Sequence, residues 1–187
     1  MKKVILIMLI VSLSLSCFKK NDSERISESS KPMKNYPEEK HDDTITRKKL
    51  IITDDLLYNC DIWKIDREFE DGSPMKIMDE LKRLVIQKKD KKAFEQLKYL
   101  SGSMDGDLAE YYSKVMSDLF NYNTRYFLQN TCKHYYAESI YGYVIYHNFM
   151  DEVDQKQYPK NYQEIQSYGD ISKLFIMTYK KYLKNGF

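Results

Sequence analysis

Three histidines and a handful of carboxylates are the residues of this chain able to hold a metal or move a proton, and their spacing limits what they can do. His134 and Glu138 stand four apart, so a helix continuous through both would set them on one face. That is ligand-like spacing, but two ligands are not a site, and His147 follows at a distance that does not complete one. His147 falls on the stripe of Ile140 and Val144, where a hydrogen-bonded core histidine is the ordinary outcome, and His41 lies in a polar stretch far upstream. Asp105 with Asp107, and Asp151 with Glu152 and Asp154, have the groups for acid–base work. Helix capping and a solvated loop account for them more simply. No G-x-S-x-G, no matched Cys–His pattern and no Gly-rich phosphate loop occurs, so none of the common catalytic arrangements is legible. No catalytic residue, metal site or cofactor is expected.

Aromatic residues are the one excess. Of 17 tyrosines, Tyr135, Tyr136, Tyr141, Tyr143 and Tyr146 crowd into twelve residues and must point in several directions around a helix. Tyrosine joins an apolar ring to a polar tip, which suits both a partly buried core and a partner surface. These five are therefore the candidate partner surface, with core filling as the plainer role. Cys60 and Cys132 are the other reactive pair. In an oxidising compartment an even pair reads as a disulfide, and closing a loop of about 73 residues would contribute roughly 4 kcal/mol. The alternative is two thiols acting as small apolar residues.

The compartment is indicated by the first seventeen residues. Lys2 and Lys3 precede an unbroken apolar run from Val4 to Val11, then Ser12 to Ser16, then Cys17. A short basic flank, a short apolar run and small residues before a cut describe a secretory signal peptide. The run is too short for a permanent span, which needs about 20 residues. The Ser16–Cys17 junction resembles the lipobox of bacterial lipoproteins. Ser14 stands where that family usually has Leu, three before the Cys, and the nearest matching Leu is Leu13, four before it. The resemblance covers residues 1–17 and implies cleavage before Cys17, lipidation and fatty acylation of that residue (palmitate in the common form), and attachment to an envelope membrane facing away from the cytoplasm. Several acyl chains on one residue make such anchoring stable. An ordinary signal peptide with an incidental Cys17 is the alternative.

Removing residues 1–16 takes Lys2 and Lys3 with it and leaves 28 basic against 28 acidic residues. A neutral chain lacks the clustered basic surface that phosphate binding needs, so no nucleic acid partner is expected. From Cys17 to Lys49 the chain reads as a lipidated Cys and a disordered tether. Of the 32 residues from Phe18 to Lys49, sixteen are charged and five apolar, too few to offset the entropy of ordering.

Residues 50–187 change to helical periodicity. Thr53-Asp54-Asp55 is a start signal, followed by Leu56, Leu57, Cys60 and Trp63 on one face. Asp71-Gly72-Ser73-Pro74 breaks the chain and restarts it, with Ser suited to the N-cap and Pro to the first turn. Ile77, Met78, Leu81, Leu84 and Val85 form the next stripe, then Ala93, Phe94, Leu97 and Leu100. Asp105-Gly106-Asp107 opens a helix with Leu108, Tyr112, Val115, Met116 and Leu119, and Asn121 to Thr124 interrupts it before Phe127, Leu128, Thr131 and Cys132. Ile140, Tyr141, Val144, Ile145 and Asn148 follow, then a polar connection from Asp151 to Pro159 and a last helix with Ile171, Leu174, Phe175, Thr178 and Tyr182. With no alternating run long enough for a sheet, the expectation is an all-α, compact bundle of six to seven helices, a helical-repeat arrangement being the minor variant.

The expected function is a non-enzymatic, envelope-anchored lipoprotein whose helical domain is protein-binding or structural, with the lipid bilayer as one partner and a protein as the other. Immunity proteins against toxins delivered to the periplasm share its size, address and fold class. A surface-exposed lipoprotein and an envelope hydrolase of unfamiliar type are rival readings.

Overall fold

Burial periodicity sets the architecture. In the computed structural model, residues 47–187 are described, and the leader, Cys17, His41 and most of the tether lie outside them. The described residues belong to one unit. They form nine α-helices: α1 (Asp54–Tyr58), α2 (Ile62–Glu68), α3 (Ser73–Lys88), α4 (Lys91–Leu100), α5 (Gly106–Tyr122), α6 (Thr124–Thr131), α7 (Ala137–Asp154), α8 (Tyr162–Ser167) and α9 (Lys173–Asn185). Two 3₁₀ turns, Ser101–Ser103 and Gly169–Ser172, follow α4 and precede α9. Among the described residues there is no strand, only an isolated parallel bridge between Lys48 and Phe69. The protein is an all-α bundle with more and shorter helices than the six or seven expected.

The extra breaks have local causes. The single stripe Leu56–Trp63 is cut in two because the Asp61 carboxylate accepts from the amides of Trp63 and Lys64 at 3.1 and 3.2 Å and starts a new helix. Leu57, Ile62 and Ile65 then enter the core, while Leu56, Cys60 and Trp63 stay half-buried. Asp90 and Asn123 cap α4 and α6 in the same way, and Thr53 Oγ1 accepts from Leu56 N at 3.2 Å as its type predicts. Such caps contribute about 1 kcal/mol each. Ser73, expected as an N-cap, is the first helical residue instead. The N-cap is Gly72 at φ 77, a left-handed conformation that favours glycine, and the Ser73 hydroxyl is buried without a partner. The stretch Asp151–Pro159 is less polar than its sequence suggests: α7 runs on to Asp154 through a kink at Phe149, and Val153 and Pro159 are buried.

Side by side, α4 packs on α3, α3 on α5, α5 on α7 and α7 on α9, with α6 against α5. Aromatic rings run through this row. Phe120 of α5 meets Phe127 of α6 at 5.6 Å, Phe149 of α7 at 6.2 Å and Phe175 of α9 at 5.3 Å between centroids. Phe94 extends the line to α4 and Tyr141 returns it to α7. Aromatic pairs contribute about 0.5–1.5 kcal/mol each beyond their buried area. This cluster fixes α7, which carries Tyr141, Tyr143 and Tyr146.

The domain also reaches further upstream than Leu50. Lys48 N donates to Glu68 O at 2.9 Å, Glu70 N donates to Lys48 O at 3.0 Å, and Arg47 pairs with Asp71.

Candidate interaction surface

The five clustered tyrosines do not form one surface. Tyr141 is wholly buried against Phe127 and Phe175, and burial holds its phenol well above the ordinary range. It belongs to the core because α7 is wedged between α5 and α9 and buries residues toward both. Tyr143 is half-buried, edge-on to Tyr112 at 5.1 Å, and its hydroxyl donates to Met104 O. Tyr146 is exposed on the next turn, edge-on to Phe187 at 5.4 Å. Together with Tyr182, Tyr143 and Tyr146 line a shallow groove of about 560 Å³ between α5 and α7. Gly142 makes room there, since a Cβ on it would lie 2.7 Å from the Tyr182 hydroxyl.

Tyr135 and Tyr136 lie elsewhere, on the connection between α6 and α7. The Tyr135 ring is 89% exposed and rests edge-on against Tyr136 at 4.9 Å. Tyr136 is seated over Gly102, where an added Cβ would lie 2.8 Å from its ring. His134 lies 5.9 Å from Tyr136 on one side and 5.1 Å from Tyr99 on the other. Tyr99, on α4, is 59% exposed. Four rings thus make a continuous strip, exposed at both ends and held in the middle. Sequence reading missed Tyr99 as a member because it sits on a different element, and took His134 for a metal-ligand candidate rather than part of the strip.

Beneath the strip lies a charged cluster that sequence reading passed over. Lys98 falls four residues after Phe94 on an apolar stripe and is 2% exposed. Its ammonium donates to Glu95 Oε1 and to Asn130 O, each at 2.7 Å, and stands 5.3 Å from the centre of the Phe94 ring. The charge is thereby surrounded by partners, as a buried cation requires. Glu95 Oε2 lies 3.9 Å from His134 Nε2. His134 Nδ1 accepts from the Tyr136 amide at 3.2 Å, so this nitrogen is unprotonated and the proton resides on Nε2. Burial, then the neighbouring Lys98, lower the His134 pKa below the usual histidine value, and Glu95 partly offsets them.

The ligand-like pair does not survive folding. Helix α7 begins at Ala137, after His134, and Glu138 pairs with Lys181 at 2.7 Å. His147 is exposed rather than in the core, beside Asp107, Glu110 and Lys114 in a shallow depression. Among the described residues no three His, Cys, Asp or Glu side chains are grouped as a metal would need. Asp105 is the N-cap position of α5 without a side-chain bond, and Asp151, Glu152 and Asp154 end α7.

The expected disulfide is corrected too: Cys60 and Cys132 are free thiols. They have different surroundings. Cys60, between α1 and α2, accepts from Gln96 Nε2 at 3.3 Å, and burial pushes its thiol up. Cys132 closes α6, donates to Gln129 O and lines a surface dimple with Ile171, Leu174 and Met177 of the C-terminal segment.

Compared with protein-family models, with curated proteins and with solved structures, the chain matches none. The geometry therefore stands alone. It offers stacking area and phenol hydrogen bonds on a preordered base, which is recognition chemistry.

Proposed function

We propose that the protein is an envelope lipoprotein, anchored through Cys17, whose helical domain binds a protein partner through the strip formed by Tyr99, His134, Tyr136 and Tyr135. The observation that carries the binding half is Tyr135: a large ring left almost wholly exposed, yet propped by Tyr136, which is itself seated on Gly102. Rigid, amphipathic tyrosine rings contribute contact area at low entropic cost and are enriched where partners dock. The anchoring half is supported by the leader and the Ser16–Cys17 junction, followed by a stretch rich in charge and poor in apolar residues.

Two measurements test the reading separately. Cys17→Ser should move the protein out of the membrane fraction and abolish incorporation of labelled fatty acid; unchanged labelling would refute the anchor. A photo-crosslinking phenylalanine at Tyr135 or Tyr99, in the cell of origin, should yield a discrete protein adduct that the same group at exposed Lys160 does not. Equal adduct patterns at all three positions would refute the surface.

A further inference from the structure

We propose that His134 is a proton-operated latch on the turn between α6 and α7, closed while its imidazole is neutral and released when it takes up a proton. The latch is a single contact: the Tyr136 amide donates to His134 Nδ1 at 3.2 Å. Protonation places a hydrogen on Nδ1, and an imidazolium has no lone pair with which to accept. The Tyr136 N–H then faces another N–H. The two flanking backbone bonds, His134 N to Thr131 O at 2.8 Å and Ala137 N to His134 O at 3.0 Å, become the remaining ties of the turn.

The surroundings decide which protonation state the fold favours. From α4, Lys98 brings a buried cation and Glu95 a carboxylate, and the Tyr99 ring closes the other side. Tyr136 covers the ring from the turn itself. Glu95 is the group there that would welcome an imidazolium, and its other oxygen is already engaged by Lys98 at 2.7 Å. The His134 side chain is 9% exposed, so water does little to solvate a new charge. The net direction is toward the neutral, latched form, in accord with the lowered pKa. A turn released on protonation exchanges one proton with solvent. Its opening equilibrium therefore rises up to tenfold for each unit of pH lost between the ordinary histidine value, about 6.5, and the lowered folded value. Tyr135 rides on this turn. That the latch governs recognition rests on the partner-surface reading above; the latch itself does not.

The test is an NMR titration of the full-length protein in detergent micelles between about pH 5 and pH 8, spanning the range in which histidine changes charge. The His134 imidazole should titrate below an ordinary histidine, and the Tyr136 amide signal should move with the same midpoint. Glu95→Gln should carry both midpoints down together, and His134→Gln should leave the Tyr136 amide flat across the range. A Tyr136 amide that stays still through the His134 titration overturns the latch, as does a pH response that persists in His134→Gln. Crosslinking at Tyr135 that is equal at both ends of the range, with the amide moving as stated, refutes only the link to recognition.

Discussion

Tyr141 and Tyr112 are both fully buried, and removing one hydroxyl from each should change stability in opposite directions. The Tyr141 hydroxyl is shielded from solvent and has no hydrogen-bond partner. Mutational data put the cost of such an orphaned group at about 1–3 kcal/mol. Tyr141→Phe keeps the ring contacts to Phe127 and Phe175 and discards the orphan, at the expense of a small void. The expected net is a gain of about 1 kcal/mol, seen as a rise of roughly 3 °C in Tm for a domain of this size. The Tyr112 hydroxyl instead donates to Leu97 O at 2.9 Å. Tyr112→Phe breaks that bond and should cost about 1 kcal/mol, with Tm falling by a similar amount. Thermal unfolding followed by circular dichroism on the two variants and the parent decides it. Losses of equal size in both would refute the reasoning, because the same atom is removed from equally buried rings and only the partner differs.

Asp90 supports a second prediction. Its Oδ1 caps α4 and its Oδ2 accepts from the Tyr58 hydroxyl at 2.7 Å, and that bond, more than any other cause, holds its carboxyl below the usual range while raising the Tyr58 phenol to about 12. A carboxyl depressed on folding stabilises above its unfolded pKa, and the effect is lost as pH falls through the folded value. Asp90→Ala should therefore cost about 1–2 kcal/mol in urea unfolding at neutral pH, and the gap to wild type should narrow below about pH 4; a gap independent of pH would contradict the assignment. For the cysteines, unfolding without reductant should leave both Cys60 and Cys132 open to alkylation, read by mass spectrometry. A resistant pair would show a bond between them.

Much of the bundle was legible because its longer helices bury one face. Every residue of the stripe Ile77, Met78, Leu81, Leu84 and Val85 is buried, as are Ala93, Phe94, Leu97 and Leu100. Reading failed where a helix buries residues toward two neighbours, so that no single narrow stripe marks its inner face. Helix α7 buries Ile140 and Val144 but also Tyr141, Ile145, Phe149 and Val153, so His147, nominally on the stripe, could not be told from its neighbours and proves exposed. Short elements failed for the opposite reason: α8 buries only Ile165, which leaves no periodicity to detect. The aromatic strip was half legible. Tyr135 and Tyr136 stand together in sequence, whereas Tyr99 of α4 joins them only in the folded chain, through His134. Lys98 carried the missed clue, a charge on an apolar stripe that must find partners once buried.

The attachment of Lys48 to Glu68 and Glu70 has a mechanical consequence. Tension arriving from the N-terminal side meets the domain first at Arg47 and Lys48, which pass it through backbone hydrogen bonds and the Arg47–Asp71 pair to the junction of α2 and α3. Residues 49–67, with the five-residue α1 and most of α2, lie behind that clip and are bypassed by the load until it opens. The shortest helix of the domain is thus shielded from a pull along the chain, and the first element to bear force is the sixteen-residue α3, whose stripe is locked into the core.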